Sequence, residues 1–109
     1  MSLEFCSFAS GSDGNCYMVK SQNTALLVDT GISGKKIFEG IAGAGLEREN
    51  VDGILITHEH SDHIKSLRIV AKKCVSATVY ANIGTWEYIK DIVPEDRQII
   101  FETGVSFFI

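Results

Sequence analysis

Residues 53–63 read GILITHEHSDH, and the interpretation of the whole chain starts from this stretch. Its first part, 53–57, is a short continuous apolar run, which is typical of a strand buried on both faces. Its second part, 58–63, contains all three histidines of the chain together with Asp62. We therefore predict a loop at the exit of a buried strand, in which alternate side chains can converge.

Imidazole and carboxylate groups clustered in this way predict a metal site. The four candidate ligands are His58, His60, Asp62 and His63. This donor set suits zinc, manganese or iron, and no cysteine is close enough in sequence to indicate a structural zinc finger. Two plainer interpretations stay open, namely an exposed polar loop with accidental histidines and an N-cap role for Asp62 alone. The absence of histidine from the rest of the chain favours the metal site.

The composition of the chain narrows its class. Its 109 residues are 45% hydrophobic and 22% charged, with a formal net charge of −4, which predicts one domain over residues 1–109. This composition excludes disorder, and no apolar run approaches the ~18 residues of a membrane span. The acidic balance argues against a protein that coats nucleic acid, but it allows an enzyme that meets a phosphate backbone locally. Three widely spaced cysteines indicate a reduced, cytoplasmic location.

Hydrophobic periodicity predicts an α/β chain in which helices cover a sheet. The predicted strands cover residues 3–9, 16–20, 24–29, 53–57, 77–81, 98–101 and 105–109, and the first three form a hairpin or meander. Helices are predicted over about 34–44, over about 63–74 and over a short stretch after residue 82. Ser33 and Asn82 are the predicted N-caps, Gly45 is the predicted stop of the first helix, and Trp86 is predicted to lie in the core.

The residues quoted above resemble the signature of the metallo-β-lactamase superfamily. The pattern His58-x-His60-x-Asp62-His63 follows a buried strand, and the segment 26–31, LLVDTG, is similar to the first motif of that superfamily. The segments 5–16 and 33–37 resemble the YycJ/WalJ-like branch, although Asp13 stands where a small residue is expected. The resemblance implies the N-terminal half of an αββα sandwich, with a mixed sheet covered by helices.

The resemblance also implies two divalent metal ions in a complete site, either Zn²⁺ or Mn²⁺, with Fe as a further option. His58 and His60 are implied to bind the first ion, and Asp62 and His63 the second. Asp62 is in addition the implied catalytic residue, because it orients the attacking water. No substrate-binding residue is assigned.

Two residues are implied to support this loop without touching metal. The resemblance gives Asp29 the role of holding the ligand loop by hydrogen bonds, and Thr57 lies at the start of that loop. From the sequence alone, Asp29 is equally well interpreted as a turn residue at the end of a strand.

The implied activity is metal-dependent hydrolysis, and the branch favours a phosphodiesterase that acts on DNA as an exonuclease. No histidine follows His63, whereas the fold needs further histidine and aspartate ligands. We therefore expect the chain to be truncated at its C-terminus and to show no appreciable turnover by itself.

Two alternatives stay open. One is a small-molecule hydrolase, such as a cyclic phosphodiesterase or a glyoxalase-II-like thioesterase. The other is an inactive fragment that forms a homo-oligomer through an exposed sheet edge at residues 105–109.

Overall fold

The computed structural model describes residues 3–9, 14–57, 64 and 66–102, and they form a mixed α/β structure. The strands and helices of these residues are β1 (Glu4–Ala9), β2 (Cys16–Lys20), β3 (Ala25–Val28), α1 (Gly34–Gly43), β4 (Gly53–Leu55), α2 (Leu67–Lys73), β5 (Thr78–Ala81), α3 (Ile83–Ile89) and β6 (Gln98–Ile100). Single 3₁₀ turns cover Arg48–Asn50 and Glu95–Arg97. The predicted fold class is confirmed, whereas the predicted strand at 105–109 lies outside the described residues.

The six strands form one sheet in the order β1-β2-β3-β4-β5-β6. The first three pair antiparallel, which confirms the predicted meander, and β1 carries an irregularity between Ser7 and Ala9. From β3 to β6 all pairs are parallel. A parallel pair needs a crossover connection, and α1, α2 and α3 supply the three crossovers.

The helices lie on one face of the sheet. Each crossover leads to the next strand in the same direction, and right-handed connections then place every helix on the same side. A single core cluster agrees with this arrangement, because it joins the central strands to all three helices. Its members include Leu27, Ile54 and Val79 from the strands and Ile37, Ile41, Leu67, Val70, Trp86 and Ile89 from the helices.

The opposite face of the sheet is only partly buried. Leu26, Val28 and Leu55 alternate with the core residues of their strands, and each retains some exposure. On β1, Phe5 is 66% exposed and stacks on Tyr17 with ring centroids 5.5 Å apart. The described residues therefore form one layer of helices on one layer of sheet.

Local sequence signals account for the helix ends. Ser33 accepts a hydrogen bond from the backbone N–H of Lys36 at 3.3 Å, and Asn82 accepts one from Thr85 at 2.8 Å. Gly45 follows the end of α1 with φ +80, a conformation that favours glycine. The predicted caps and the predicted stop are therefore confirmed.

The single tryptophan of the chain joins α3 to β6. Trp86 is 5% exposed, as predicted for a core residue, and its indole N–H donates to the carbonyl oxygen of Ile99 at 3.0 Å. Because β6 is an outer strand of the described sheet, this bond attaches that strand to the helix that precedes it.

All three cysteines are free thiols. Cys16 and Cys74 are fully buried and Cys6 is partly buried, so two of the three pack as small hydrophobic residues, in agreement with the prediction. None of the helices in the described ranges is both long and apolar enough to span a membrane.

Candidate functional site

The candidate site lies where the parallel strands end. The carboxyl ends of neighbouring parallel strands meet at one edge of a sheet, and ligands of α/β proteins commonly bind there. β3 ends just before Asp29, and β4 ends two residues before Thr57. The backbone N–H of Ile56 donates to Tyr80 at 2.9 Å, so the chain stays attached to β5 beyond the end of β4.

Asp29 and Thr57 are in direct contact at this edge. One carboxylate oxygen of Asp29 accepts the backbone N–H of Thr57 at 2.8 Å, and the other accepts its hydroxyl at 2.7 Å. The backbone N–H of Asp29 donates to Leu55 at 2.8 Å. Asp29 is 3% exposed, so this carboxylate is held in a largely dry environment by charge-assisted hydrogen bonds.

The backbone of Asp29 adopts a conformation that most residues avoid. Its φ is +64, in the left-handed region, which aspartate tolerates better than bulkier residues do. β3 ends at Val28, one residue earlier than predicted, and the chain continues from Asp29 through the loop that leads to α1. With the backbone of Asp29 in this conformation, its carboxylate contacts Thr57.

The turn before β2 packs against the loop that follows Asp29. The backbone N–H of Gly31 donates to Asn15 at 2.8 Å. Gly14 has φ +130, and a Cβ at this position would lie 2.1 Å from the carbonyl oxygen of Gly31. Only glycine fits this close approach, so the turn predicted around residues 11–15 is tied to the site at its described end.

Ser66 contacts the same loop from the other side of the histidine motif. Its backbone N–H donates to the carbonyl oxygen of Thr30 at 2.9 Å, and its hydroxyl donates to that of Ile32. Ser66 is 7% exposed. Nothing in the sequence singles out this residue, which falls inside the helix predicted over about 63–74, whereas α2 begins at Leu67.

The predicted metal ligands lie outside the described residues. His58, His60, Asp62 and His63 all fall within 58–63, so their assignment stays a prediction, as does the catalytic role of Asp62. Within the described ranges, no group of three or more histidine, cysteine, aspartate or glutamate side chains could hold a metal ion.

The two fully buried thiols are protonated at neutral pH. Burial, with a smaller contribution from the nearby Asp29 carboxylate, raises the pKa of the Cys16 thiol from 9.0 to about 12. Burial also raises the pKa of Cys74 from 9.0 to about 11. The thiolate is the form that binds metal, so neither buried thiol is in its metal-binding form at neutral pH.

A shallow apolar recess lies at the same edge, beside the ends of β5 and β6. Its volume is about 420 Å³, and it is lined by Asn82, Ile83, Gly84, Ile100, Phe101 and Glu102. Ile83 is 67% exposed and Ile100 is 58% exposed. The recess could therefore accommodate a small apolar group near the strand ends.

Comparison with known proteins identifies the family. The model of the metallo-β-lactamase superfamily matches residues 9–102. The chain is 45% identical over 107 residues to the exodeoxyribonuclease YycJ of Bacillus anthracis. This match covers 95% of the chain and 40% of that relative. It is 39% identical over 107 residues to the exodeoxyribonuclease WalJ of Streptococcus pneumoniae serotype 2 (strain D39 / NCTC 7466). This match covers 94% of the chain and 39% of the relative.

A solved structure shows the same fold at lower identity. The class B3 di-zinc metallo-β-lactamase LRA-12, from an Alaskan soil metagenome, matches with a TM-score of 0.62 and 23% identity, over 72% of this chain and 32% of that one. The chain itself spans about 40% of the length of the curated relatives that it matches. From the family match and the two relatives together, the chain belongs to the metallo-β-lactamase superfamily, in its YycJ/WalJ-like branch.

Proposed function

We propose that the chain is part of a metal-dependent hydrolase that cleaves phosphodiester bonds of DNA, as an exonuclease. The observation that carries this proposal is the position of the histidine motif, directly after a strand whose end is held by the Asp29 carboxylate. The names of the two relatives, both exodeoxyribonucleases, support the choice of DNA.

The donor set of residues 58–63 fits divalent cations. Three imidazoles and one carboxylate within six residues suit Zn²⁺, Mn²⁺ or Fe, and the structural neighbour LRA-12 is named as a di-zinc enzyme. His58 and His60 would hold one ion, and Asp62 and His63 the other. Two such cations, when bound, lower the pKa of a water molecule and neutralise charge that develops on the phosphoryl oxygens.

The side chains of the chain then position the reaction. The carboxylate of Asp62 would accept a hydrogen bond from the attacking water and orient a lone pair of its oxygen toward phosphorus. Attack forms one P–O bond and breaks the bond to the leaving sugar oxygen, which takes up a proton. Asp29 and Thr57 would keep the strand exit in place, so that the ligands meet the substrate in one geometry.

An exposed cationic surface supports a nucleic-acid substrate. We call it the basic face; it consists of Lys35 and Lys36 on α1 and of Arg68, Lys72 and Lys73 on α2, all exposed. The two helices adjoin, since a Cβ at Gly34 would lie 3.1 Å from a methyl group of Ile69. Among the described residues the ion pair found is Lys20–Glu4, so the basic face is available for phosphate groups.

A small-molecule hydrolase is the second candidate. The apolar recess beside Ile83 and Ile100, near the strand ends, favours it because a nucleobase or an acyl chain would fit there. The net charge of −4 also suits a small substrate better than a polyanion. For either substrate we propose a cytoplasmic location, based on the cysteine usage.

Metal analysis and hydrolysis assays test the proposed function. Purified chain, and in parallel the longest protein that its gene encodes, are assayed for bound metal, for hydrolysis of bis-nitrophenyl phosphate and for degradation of end-labelled DNA. We expect His60→Ala to abolish metal-dependent hydrolysis and Glu59→Gln, a change in the same loop at a residue without an assigned role, to preserve it. Hydrolysis of a thioester with DNA left intact would overturn the nuclease assignment in favour of the second candidate.

The isolated chain provides a further test. We expect the 109 residues alone to show no appreciable turnover, because no histidine follows His63 and the histidine motif alone supplies four ligands for two ions. Metal-dependent turnover by the chain alone, abolished in His60→Ala, would contradict this expectation. Sedimentation measures the oligomeric state of the chain. A monomer would exclude the alternative of a self-associating fragment.

A further inference from the structure

Ser66 occupies the N-cap position of α2 without capping the helix. Its side chain makes no capping hydrogen bond, and its backbone has φ −111 and ψ 13. Ser33 and Asn82, at the corresponding positions of the other two helices in the described part, both accept a backbone N–H as caps do. Because Ser66 is 7% exposed, its hydroxyl needs another hydrogen-bond partner inside the protein.

The hydroxyl of Ser66 is used in a bond between two loops. It donates to the carbonyl oxygen of Ile32, while the backbone N–H of Ser66 donates to that of Thr30 at 2.9 Å. Both acceptors belong to the loop 29–32, whose first residue, Asp29, holds Thr57. One four-residue loop therefore contacts the chain immediately before and shortly after residues 58–63.

From this arrangement we propose that Ser66 is a positioning residue for the histidine motif, acting on its C-terminal side as Asp29 acts on its N-terminal side. This inference rests on the proposed function, because it takes residues 58–63 as the metal ligands. Ser66 lies three residues after His63, and Thr57 lies directly before His58. Ser66 therefore governs the ion held by Asp62 and His63 more strongly than the other ion.

A role for Asp29 at one end of the motif and for Ser66 at the other is expected because a ligand loop is fixed only if both of its ends are fixed. Partners that orient metal ligands without touching the ion typically change metal affinity 10–100-fold when they are removed. The Ile32 carbonyl is a backbone group in a buried residue, so it offers a fixed acceptor. The hydroxyl is the one part of this contact that a substitution can remove without altering the loop.

Metal titration of matched variants tests the inference. The chain and the longest protein of its gene are titrated with Zn²⁺, and Co²⁺ absorption reports the ligand geometry of each ion. We expect Ser66→Ala to weaken the binding of one ion about 10-fold and to alter its Co²⁺ spectrum. Ser66→Thr, which keeps the hydroxyl, should restore both. Ser33→Ala removes a true helix cap and should lower Tm while leaving both affinities unchanged.

Hydrogen exchange on the unmodified protein tests the same inference if Ser66→Ala does not fold. Coupling is reciprocal, so metal binding must strengthen the contacts that position the ligands. We expect Zn²⁺ to slow exchange of the Ser66 amide, which donates to Thr30, and to leave the Lys36 amide in the α1 cap unchanged. Unchanged exchange at Ser66, or unchanged metal affinity in Ser66→Ala, would overturn the inference.

The outcomes for Ser66 and for the proposed function can be distinguished. Metal affinity that depends on Ser66, in a protein that leaves DNA intact, supports the inference and overturns the proposed function. If the protein cleaves DNA and its metal affinity is the same in Ser66→Ala, the proposed function is supported and the inference on Ser66 is overturned. A protein that binds no divalent metal at all overturns both.

Discussion

Asp29 and Thr57 lie 28 residues apart in sequence, yet the Asp29 carboxylate accepts both the backbone N–H and the hydroxyl of Thr57, at 2.8 and 2.7 Å. The Asp29 carboxylate therefore accepts two donors of the residue that directly precedes the histidine motif in sequence.

Substitution of Asp29 by asparagine should be costly. Asparagine tolerates the left-handed backbone, but its side chain has only one acceptor oxygen. Its NH₂ group would therefore face one of the two donors of Thr57 and leave that donor without its bond. We expect the free energy of unfolding to fall by about 1–3 kcal/mol, measured by urea denaturation. Thr57→Val, which removes only the hydroxyl, should cost less, and the double variant should cost less than the sum of the two changes.

Asp52→Asn is the matched control for this substitution. Asp52 lies just before β4, and its carboxylate accepts a single backbone N–H, from Ala25 at 2.9 Å. An asparagine oxygen can accept that bond equally well. Equal losses of stability in Asp29→Asn and Asp52→Asn would contradict the two-donor account of Asp29.

Two glycines should respond in opposite ways to alanine. At Gly14 a Cβ would lie 2.1 Å from the Gly31 carbonyl oxygen, and φ is +130, so Gly14→Ala should destabilise the chain strongly. At Gly43, within α1, a Cβ meets no atom within 4 Å, and Gly43→Ala should raise the free energy of unfolding by about 0.5–1 kcal/mol. Thermal unfolding of the two variants checks both signs, and a stable Gly14→Ala would mean that the turn does not pack on Gly31.

Neutralising the basic face should weaken binding to DNA. We expect the double variant Arg68→Gln, Lys72→Gln to bind a labelled single strand less tightly in EDTA, where no cleavage occurs. The slope of log affinity against log salt should decrease by roughly 0.7 for each phosphate group that the variant no longer neutralises. Lys90→Gln, at an exposed lysine directly after α3, is the control. An unchanged salt slope in the double variant would remove the basic face as support for a DNA substrate.

The buried thiols predict a loss of stability in alkali. Burial raises the folded-state pKa of Cys16 to about 12 and that of Cys74 to about 11, from 9.0 for each. Above pH 9 the unfolded thiols lose protons that the folded chain retains, so stability is fully present below pH 9 and falls as the pH rises toward the folded values. The decline is about 1.4 kcal/mol per pH unit for each thiol.

Urea midpoints between pH 8 and 10.5 check this decline. Cys16→Ala should lose packing energy at every pH, but its pH slope should be shallower than that of the parent chain by one thiol. Identical slopes would show that the Cys16 thiol is not kept protonated by the fold.

Local rules allowed much of the fold to be predicted from sequence. Ser33, Asn82 and Gly45 act on backbone groups within four residues of themselves, so composition near a helix end was sufficient to place them. The order of the parallel strands was not predicted, because a helix that joins two strands does not require them to be neighbours in the sheet; the structure places them side by side.

The contacts at the site could not be predicted in this manner. Ser66 and Ile32 are 34 residues apart, and the sequence pattern placed Ser66 inside a predicted helix. The left-handed backbone of Asp29 depends on β4 lying beside β3, which is a tertiary relationship. The assignment of His58, His60, Asp62 and His63 still rests on the motif.

The bond between the Trp86 indole and Ile99 gives the chain an intrinsic optical reporter. Because the chain contains no other tryptophan, fluorescence that is excited selectively in indole arises from Trp86 alone. The signal follows attachment of the outer strand β6, which lies two strands away from β4 in the sheet. Fluorescence and amide exchange therefore sample different parts of the sheet, and their agreement or disagreement measures how cooperatively this sheet unfolds.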